Sequence, residues 1–434
     1  MVDLRILAPT HVIPSKKNKL INYVENIVTE VNKKVEIEVF WFIFQPDTLK
    51  TENNNFLDIH NFNNAIELLE KIKPDCIFAN NNSREPISYS LSIAAKYLKI
   101  PLVYYYLNDL SPINGNQPDI GFTKNMSILL RNFFSDKVVT DTQGNASKMR
   151  RGKFFIYKNM FLFKTRIIIG TNSVKAIKLF INDLILYVRY KKPIWNKLSD
   201  LNLCSNIDYY NFLIKIGIEK NKINITGNPF WDKIFEKVKV RKNNKKQNKN
   251  NIKILVLTGS LVEHGFWKAE QRDTYLEKIF SELQKEKNIS FDLKIHPASE
   301  DIIFYEKFMK KQNCKSKIYQ QENIWDIIDN YDLVLSYGFS TSHTECAYGG
   351  IKMILLDVDW NFKKFALVNE GISSGFIIEC KKFEEIQKCI LDLMSTEIVF
   401  NEELLKAREK LAYKFDGNAG ERAATAIIEL IKNY

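Results

Sequence analysis

Apolar positions along this chain follow two alternating rhythms. Leu4 to Ala8 is a short apolar run that ends in Pro9-Thr10-His11. Leu20, Ile21, Val24, Ile27, Val28 and Val31 recur at three- and four-residue spacing, which predicts an amphipathic helix over 17–32. The β-branched and aromatic stretch Val35–Phe44 predicts a strand. A helix over 62–72, a buried strand Asp75–Ala79, a helix over 85–98 and a strand Ile100–Tyr106 follow. From Lys253 the pattern begins again. Apolar runs Lys253–Thr258, Phe291–Ile295, Lys317–Tyr319, Asp332–Ser336, Lys352–Asp357 and Phe376–Ile378 predict strands. Helical patterns over 270–286, 301–311, 323–329 and 340–348 lie between them, and three more helical stretches close the chain. Strands alternating with helices predict two α/β domains, each a parallel sheet with right-handed crossovers. The polar, basic, aperiodic stretch Arg241–Asn251 between the two blocks predicts a surface loop.

Composition narrows the class. With 45% hydrophobic and 26% charged residues, a disordered chain is excluded, and 434 residues make room for two or three domains. The six cysteines form no CxxC pair and no Cys/His cluster with metal-ligand spacing, which predicts reduced, buried thiols in a cytoplasmic protein. Met1 to Leu7 reads as a strand rather than a leader. No run of about 18 uncharged apolar residues occurs, so no membrane-spanning helix is expected.

The net charge of +12 is unevenly spread. Lys148–Lys197 holds 13 Lys and Arg against one acid, Asp183. Apolar clusters interleave with these cations: Phe154-Phe155-Ile156, Met160 to Phe163, Ile167 to Ile169, and Ile177 through Val188. Such a basic, aromatic-rich insertion suits an anionic membrane surface. The plainer reading is a helical pair inside the first domain with its cations on the wet face. No nucleic-acid module accompanies the charge, so no nucleic-acid partner is expected.

Candidate chemistry gathers at strand ends of the second block, where doubly wound sheets bind ligands. Thr258-Gly259-Ser260 follows the first strand; it reads as a tight turn or as a backbone approach to a ligand. Lys294-Ile295-His296-Pro297 presents His296 where Pro297 fixes the chain's exit. Ser340-Thr341-Ser342 opens a helix whose free amides favour an anion, and Glu345 lies one turn on. A helix cap needs one hydroxyl, and here there are three in a row. Thr226-Gly227-Asn228-Pro229 with Asp232 ends a strand Lys222–Ile225 and reads as a turn and helix start where the chain passes between domains.

Taken together these pieces resemble a known set. Ile223 to Asp232 is similar to the TGNPxxD segment of GT-B-fold nucleotide-sugar enzymes. His296-Pro297 resembles the HP motif of bacterial sialyltransferases and Kdo transferases, and also the His-Pro of UDP-GlcNAc 2-epimerases. Ser340-Thr341-Ser342 with Glu345 resembles the phosphate and ribose site of that superfamily, which includes CDP-glycerol transferases. Asp416 to Arg422 resembles its closing DGxAxxR helix. The likeness is clear over 200–434 and architectural over 1–120.

The resemblance implies a GT-B fold: two Rossmann-like domains facing across a cleft. The acceptor domain would be 1–225, carrying 148–197 as an insertion, and the donor domain 226–434. It further implies nucleotide binding by Thr258, Gly259, Ser260, His296, Pro297, Ser340, Thr341, Ser342 and Glu345, with Gly227, Asn228 and Asp232 interdomain. The epimerases carry acids after the third and fourth strands of the first domain. Here those places read Asn80-Asn81-Asn82 and Tyr104-Tyr105-Tyr106. Amides and phenols are poor bases at neutral pH, so the catalytic base must be another group. Candidates are Glu85, Asp109 and His11.

The expected function is a glycosyltransferase that builds a surface glycan from a nucleotide-sugar donor. The His-Pro strand end and hydroxyl run favour a CMP-linked ulosonic acid. Amides, hydroxyls and an imidazole at the leaving phosphate would replace a metal, so no metal and no cofactor are expected. The acceptor would be a glycan or lipid-linked glycan, met in the cytoplasm or peripherally at the inner membrane face. The alternatives are a UDP-N-acetylhexosamine 2-epimerase, a CDP-polyol phosphotransferase and a non-catalytic GT-B subunit.

Overall fold

The structure is a computed structural model. It describes residues 4–10, 13, 19–50, 53–80, 85–106, 123, 126–127, 130, 134, 138–140, 146–190, 197–244, 251–263, 266–297, 300–337, 341–358, 366–396 and 402–434. The chain divides into two compact units, Met1–Asp232 with Ala412–Tyr434, and Lys233–Leu411.

The first unit is built on strands β1 (Leu4–Thr10), β2 (Ile37–Ile43), β3 (Phe56–Asp58), β4 (Cys76–Asn80), β5 (Leu102–Tyr106), β8 (Leu201–Cys204) and β9 (Ile223–Ile225), in the order β3-β2-β1-β4-β5-β8-β9. Every neighbouring pair is parallel. Two further strands, β6 (Val138–Thr140) and β7 (Ala146–Arg150), form a separate antiparallel hairpin. The strands are largely apolar because both faces of the sheet are covered, and successive residues serve opposite cores. Leu7, Ile77, Tyr104 and Tyr106 join one core; Ile6, Ala8, Phe78, Val103 and Tyr105 join the other.

That second core corrects the expected domain boundary. Ala423, Ala424, Ala426, Ile427 and Ile428 of the last helix, Ala419–Asn433, pack there beside Val24, Ile27 and Val31 of the helix Lys19–Asn32. The closing residues, expected in the 226–434 domain, therefore complete the first unit. An amphipathic helix needs an apolar face to cover, and this sheet offers one.

The second unit contains β10 (Ile252–Leu257), β11 (Ile289–Lys294), β12 (Ile318–Tyr319), β13 (Leu333–Tyr337), β14 (Met353–Leu356) and β15 (Ile377–Cys380), all parallel, in the order β12-β11-β10-β13-β14-β15. Counted from its own first strand the order is 3-2-1-4-5-6, the doubly wound arrangement whose switch point lies between β10 and β13. The predicted strands all appear here within a few residues of their expected limits. The expected loop over 241–251 begins later than predicted, because the helix Phe230–Asn244 runs into it, and residues 245–250 lie outside the described residues.

The basic insertion is a helical hairpin, Arg151–Ile168 and Ser173–Tyr190. Its first helix is anchored in the first unit. Phe161 is buried beside Phe42, the Tyr157 hydroxyl donates to the Ile59 carbonyl at 3.3 Å, and the Ala65 amide donates to Thr165 Oγ1 at 3.0 Å. Gly170 at φ +87° turns the chain, and Asn172 Oδ1 accepts from the Lys175 amide at 2.8 Å to start the second helix.

Candidate nucleotide site at the strand ends

The carboxyl ends of β10, β11 and β12 are tied together by one buried residue that the sequence motifs do not include, Glu300. Its carboxyl group accepts the backbone amide of His296 at 2.6 Å, the Tyr305 hydroxyl at 2.5 Å and the Thr258 hydroxyl. Its carbonyl accepts Gln320 Nε2 at 2.7 Å, just beyond β12. Burial raises the Tyr305 phenol well above its ordinary value, with Tyr337 and Glu300 adding to the effect, so the group stays a donor. The backbone of His296 is thus fixed while its ring and Pro297 remain exposed. Asp301, the next residue, accepts from the Ile303 amide at 3.0 Å and caps the helix Ile302–Lys311. Two adjacent acids at a helix start read as capping residues in sequence; the structure gives that task to Asp301 and turns Glu300 inward.

Thr258, Gly259 and Ser260 are buried. The Thr258 amide bonds the Lys294 carbonyl at 3.2 Å and so continues the β10–β11 ladder by one residue. Ser260 holds φ +37°, a left-handed conformation that side chains rarely adopt and that the surrounding packing must enforce. Behind the turn, Trp267 stacks on the buried Tyr337 ring with centroids 5.9 Å apart.

On the other side of the switch point, β13 is followed by the helix Thr341–Gly349. His343 Nε2 lies 2.5 Å from Ser336 Oγ and joins the helix to the end of β13. Both residues are buried, and burial lowers the His343 pKa to about 4. The ring is therefore neutral at pH 7. Any anion at this helix start would meet amide dipoles and hydroxyls rather than an imidazolium. Ser342 is half-buried and Glu345 is buried, 3% exposed. Of the expected phosphate hydroxyls, Ser340 and the side chain of Thr341 lie outside the described residues.

The remaining predicted residues go elsewhere. Gly227 and Asp232 belong to a clasp with the closing helix, inside the first unit, while Asn228 Oδ1 accepts the Phe230 amide at 3.1 Å. Asp232 accepts the amides of Ala419 at 3.0 Å and Gly420 at 2.7 Å. Arg422 Nε donates to the Thr226 carbonyl at 2.8 Å, and its Nη1 pairs with both Asp416 oxygens at 3.0 and 2.8 Å. Gly227 sits at φ +84°, where a Cβ would lie 2.9 Å from the Ala412 carbonyl oxygen. The TGNPxxD and DGxAxxR motifs, far apart in sequence, are two halves of one structure. Burial raises Asp232 to about 6 against the lowering pull of the Gly420 and Ala419 amides and Arg422.

Glu85 is the cap of the helix Pro86–Leu98. Its Oε2 accepts the amides of Ile87 at 2.6 Å and Ser88 at 3.0 Å, and its Oε1 pairs with Lys158 at 2.8 Å. Both oxygens are engaged, which leaves it poorly placed as a base. Tyr104, Tyr105 and Tyr106 fill the two cores. His11, Asn81, Asn82 and Asp109 lie outside the described residues.

No protein-family profile and no curated protein matches this chain. Solved structures do. The UDP-GlcNAc 2-epimerase from Neisseria meningitidis, bound to UDP-GlcNAc, is 13% identical with a TM-score of 0.50, covering 99% of this chain and 100% of its own. The UDP-GlcNAc 2-epimerase from Methanocaldococcus jannaschii is 15% identical with a TM-score of 0.51, covering 98% and 99%. At such identities the likeness establishes architecture: the chain has the two-domain α/β GT-B fold.

Proposed function

We propose that this chain is a nucleotide-sugar enzyme that binds a UDP-N-acetylhexosamine at the strand ends of its second unit. The observation that carries the reading is the switch point between β10 and β13, flanked by the Glu300-fixed His296 turn and by the helix Thr341–Gly349. The helix amides and the Ser342 hydroxyl would take the phosphates, with the exposed His296 ring alongside. Glu345 would accept the ribose hydroxyls. Neutralising the phosphates with amides, hydroxyls and imidazole needs no metal. A CMP-linked ulosonic acid, the donor expected from sequence, is set aside for a UDP sugar, because a fold neighbour, the Neisseria meningitidis epimerase, is bound to UDP-GlcNAc.

The first reading of the reaction is 2-epimerisation or hydrolysis of the sugar nucleotide. A second reading, glycosyl transfer, is favoured by one observation. The strand ends where the epimerase resemblance calls for acids carry Asn80 and core tyrosines, and Glu85 is spent on a helix cap. In that reading the acceptor is a glycan or lipid-linked glycan met at an anionic membrane surface.

A thermal-shift panel of UDP, CMP, CDP and GDP tests the site. A nucleotide at 100 times its dissociation constant adds about 2.7 kcal/mol of stability. Stabilisation by UDP above the others is expected, and no stabilisation by any of them refutes the site. Proton NMR of UDP-GlcNAc incubated with the protein and no acceptor then separates the two reactions. Inversion at C2 or release of UDP supports the first; binding without turnover supports the second.

A further inference from the structure

The helical hairpin Arg151–Tyr190 leaves much of its apolar surface uncovered. On its first helix, Phe161, Leu162 and Thr165 are buried, but Ile156 is 51% exposed and Met160 45%. On the second helix Ala176 is buried, while Val174, Ile177, Ile181 and Ile185 are exposed at 78, 52, 48 and 43%. These four recur at three- and four-residue spacing and so form one stripe. Against the hairpin lies a hollow of about 550 Å³, lined by Ile156, Met160, Ile177 and Phe180 of its helices and by Leu130 and Phe134 from earlier in the chain, among others. Isoleucines set this way gain nothing from water.

Charge identifies what covers them. Lys153 lies three residues before Ile156, and Lys164 four residues after Met160. Lys175 and Lys178 flank Ile177. All four lysines are exposed, so cations border the apolar stripe on both helices. A second copy would set this basic face against itself, and like charges across a symmetric contact repel. A nucleic acid has no use for an apolar hollow. An anionic bilayer meets both features: headgroups pair with the lysines while the isoleucines enter the acyl boundary. Among the described residues no helix is long and apolar enough to cross a membrane, so the contact is with one leaflet.

We propose that this hairpin face docks on an anionic lipid bilayer, with an acyl chain seated in the hollow against its helices. The docking stands apart from the nucleotide reading, because none of its residues belongs to the strand-end site.

Flotation of the full chain with phosphatidylcholine vesicles, with and without phosphatidylglycerol, tests the docking. The folded protein is expected to float with anionic vesicles at low salt, to float weakly with neutral ones, and to be released only in part at 1 M salt. Charge alone would be released in full, because the Debye length there is about 3 Å. Replacing Ile177 and Ile181 together by Asp is expected to lower partitioning by at least tenfold, on the order of the apolar burial lost. Replacing Lys175 and Lys178 by Glu is expected to remove the dependence on anionic lipid. Should the Asp pair disturb folding, Ile177→Trp gives a second measurement: lipids brominated in the acyl chain are expected to quench its fluorescence. Failure of the folded wild type to float at low salt overturns the proposal. So does an unquenched Trp on bound vesicles, or a dimer in solution that Ile177→Asp dissociates.

Discussion

The two units share one construction, yet their strand ends are furnished differently. In the second unit the polar groups at the carboxyl ends are cross-linked to one another: Glu300 joins three strands and His343 joins β13 to the next helix. In the first unit the corresponding side chains are committed outward or downward. Glu85 caps its own helix and pairs with Lys158 of the hairpin, and the tyrosines of β5 sink into both cores. A site that must hold a ligand in fixed geometry needs its donors braced. The bracing is found at the ends of β10 to β13, and this supports placing the nucleotide there.

The largest break in that comparison is expected from Glu300→Ala. It leaves buried donors from Thr258, Tyr305 and the His296 amide without their acceptor, at about 3–5 kcal/mol for the set. Urea unfolding checks it, with loss of UDP binding expected alongside. Glu85→Ala, the matching change in the first unit, is expected to cost about 1–2 kcal/mol, as a lost helix cap does, and to leave UDP affinity unchanged.

Acid should act on the second unit through His343. Its folded pKa of about 4 lies below the ordinary 6.5, so between those values the unfolded chain binds the extra proton. Stability is then full above pH 6.5 and falls as pH is lowered towards 4, by about 3 kcal/mol at most. Melting temperature against pH measures it, and His343→Gln should flatten the curve in that window. Asp232→Ala removes two amide contacts of the clasp and is expected to cost about 2 kcal/mol by the same unfolding assay, without altering nucleotide affinity. The smallest effect is Ser342→Ala, with about 1 kcal/mol lost from UDP binding by calorimetry and little change in stability.

The second sheet was legible because each strand is a compact apolar run bounded by polar turns. In the first sheet β1, β2, β4, β5 and the strand before Thr226 were legible, while the short strands Phe56–Asp58 and Leu201–Cys204 were not. Leu201–Cys204 is four residues long, too short to show a period, and Asn202 breaks its apolar character although the residue is fully buried. The Asn202 amide finds the Lys222 carbonyl at 2.9 Å, a partner that only folding supplies. The closing helix was recognised as a helix but assigned to the wrong unit, since amphipathicity states that a face is covered and not by which sheet. Glu300 carries no signal of its own in sequence, because an acid beside another acid at a helix start has the pattern of a cap. The insertion was legible as basic and apolar. Its pattern did not separate Phe161, which is core, from Phe155 and Phe163, which line the hollow.

The clasp between Thr226–Asp232 and Asp416–Arg422 has a consequence for the order of synthesis. The second unit, Lys233–Leu411, is encoded between the two parts of the first. A growing chain therefore emerges with that face of its first sheet covered only by the helix Lys19–Asn32, and Val24, Ile27 and Val31 lack their partners Ala423, Ala424 and Ile427 until residues 419–433 are made. The inserted unit has all its strands earlier and can close while the older one waits. Contacts of such long sequence separation form late and slowly. Nascent chains halted before residue 419 should therefore bind holdase chaperones through the amino-terminal segment, and release from the ribosome should end that dependence.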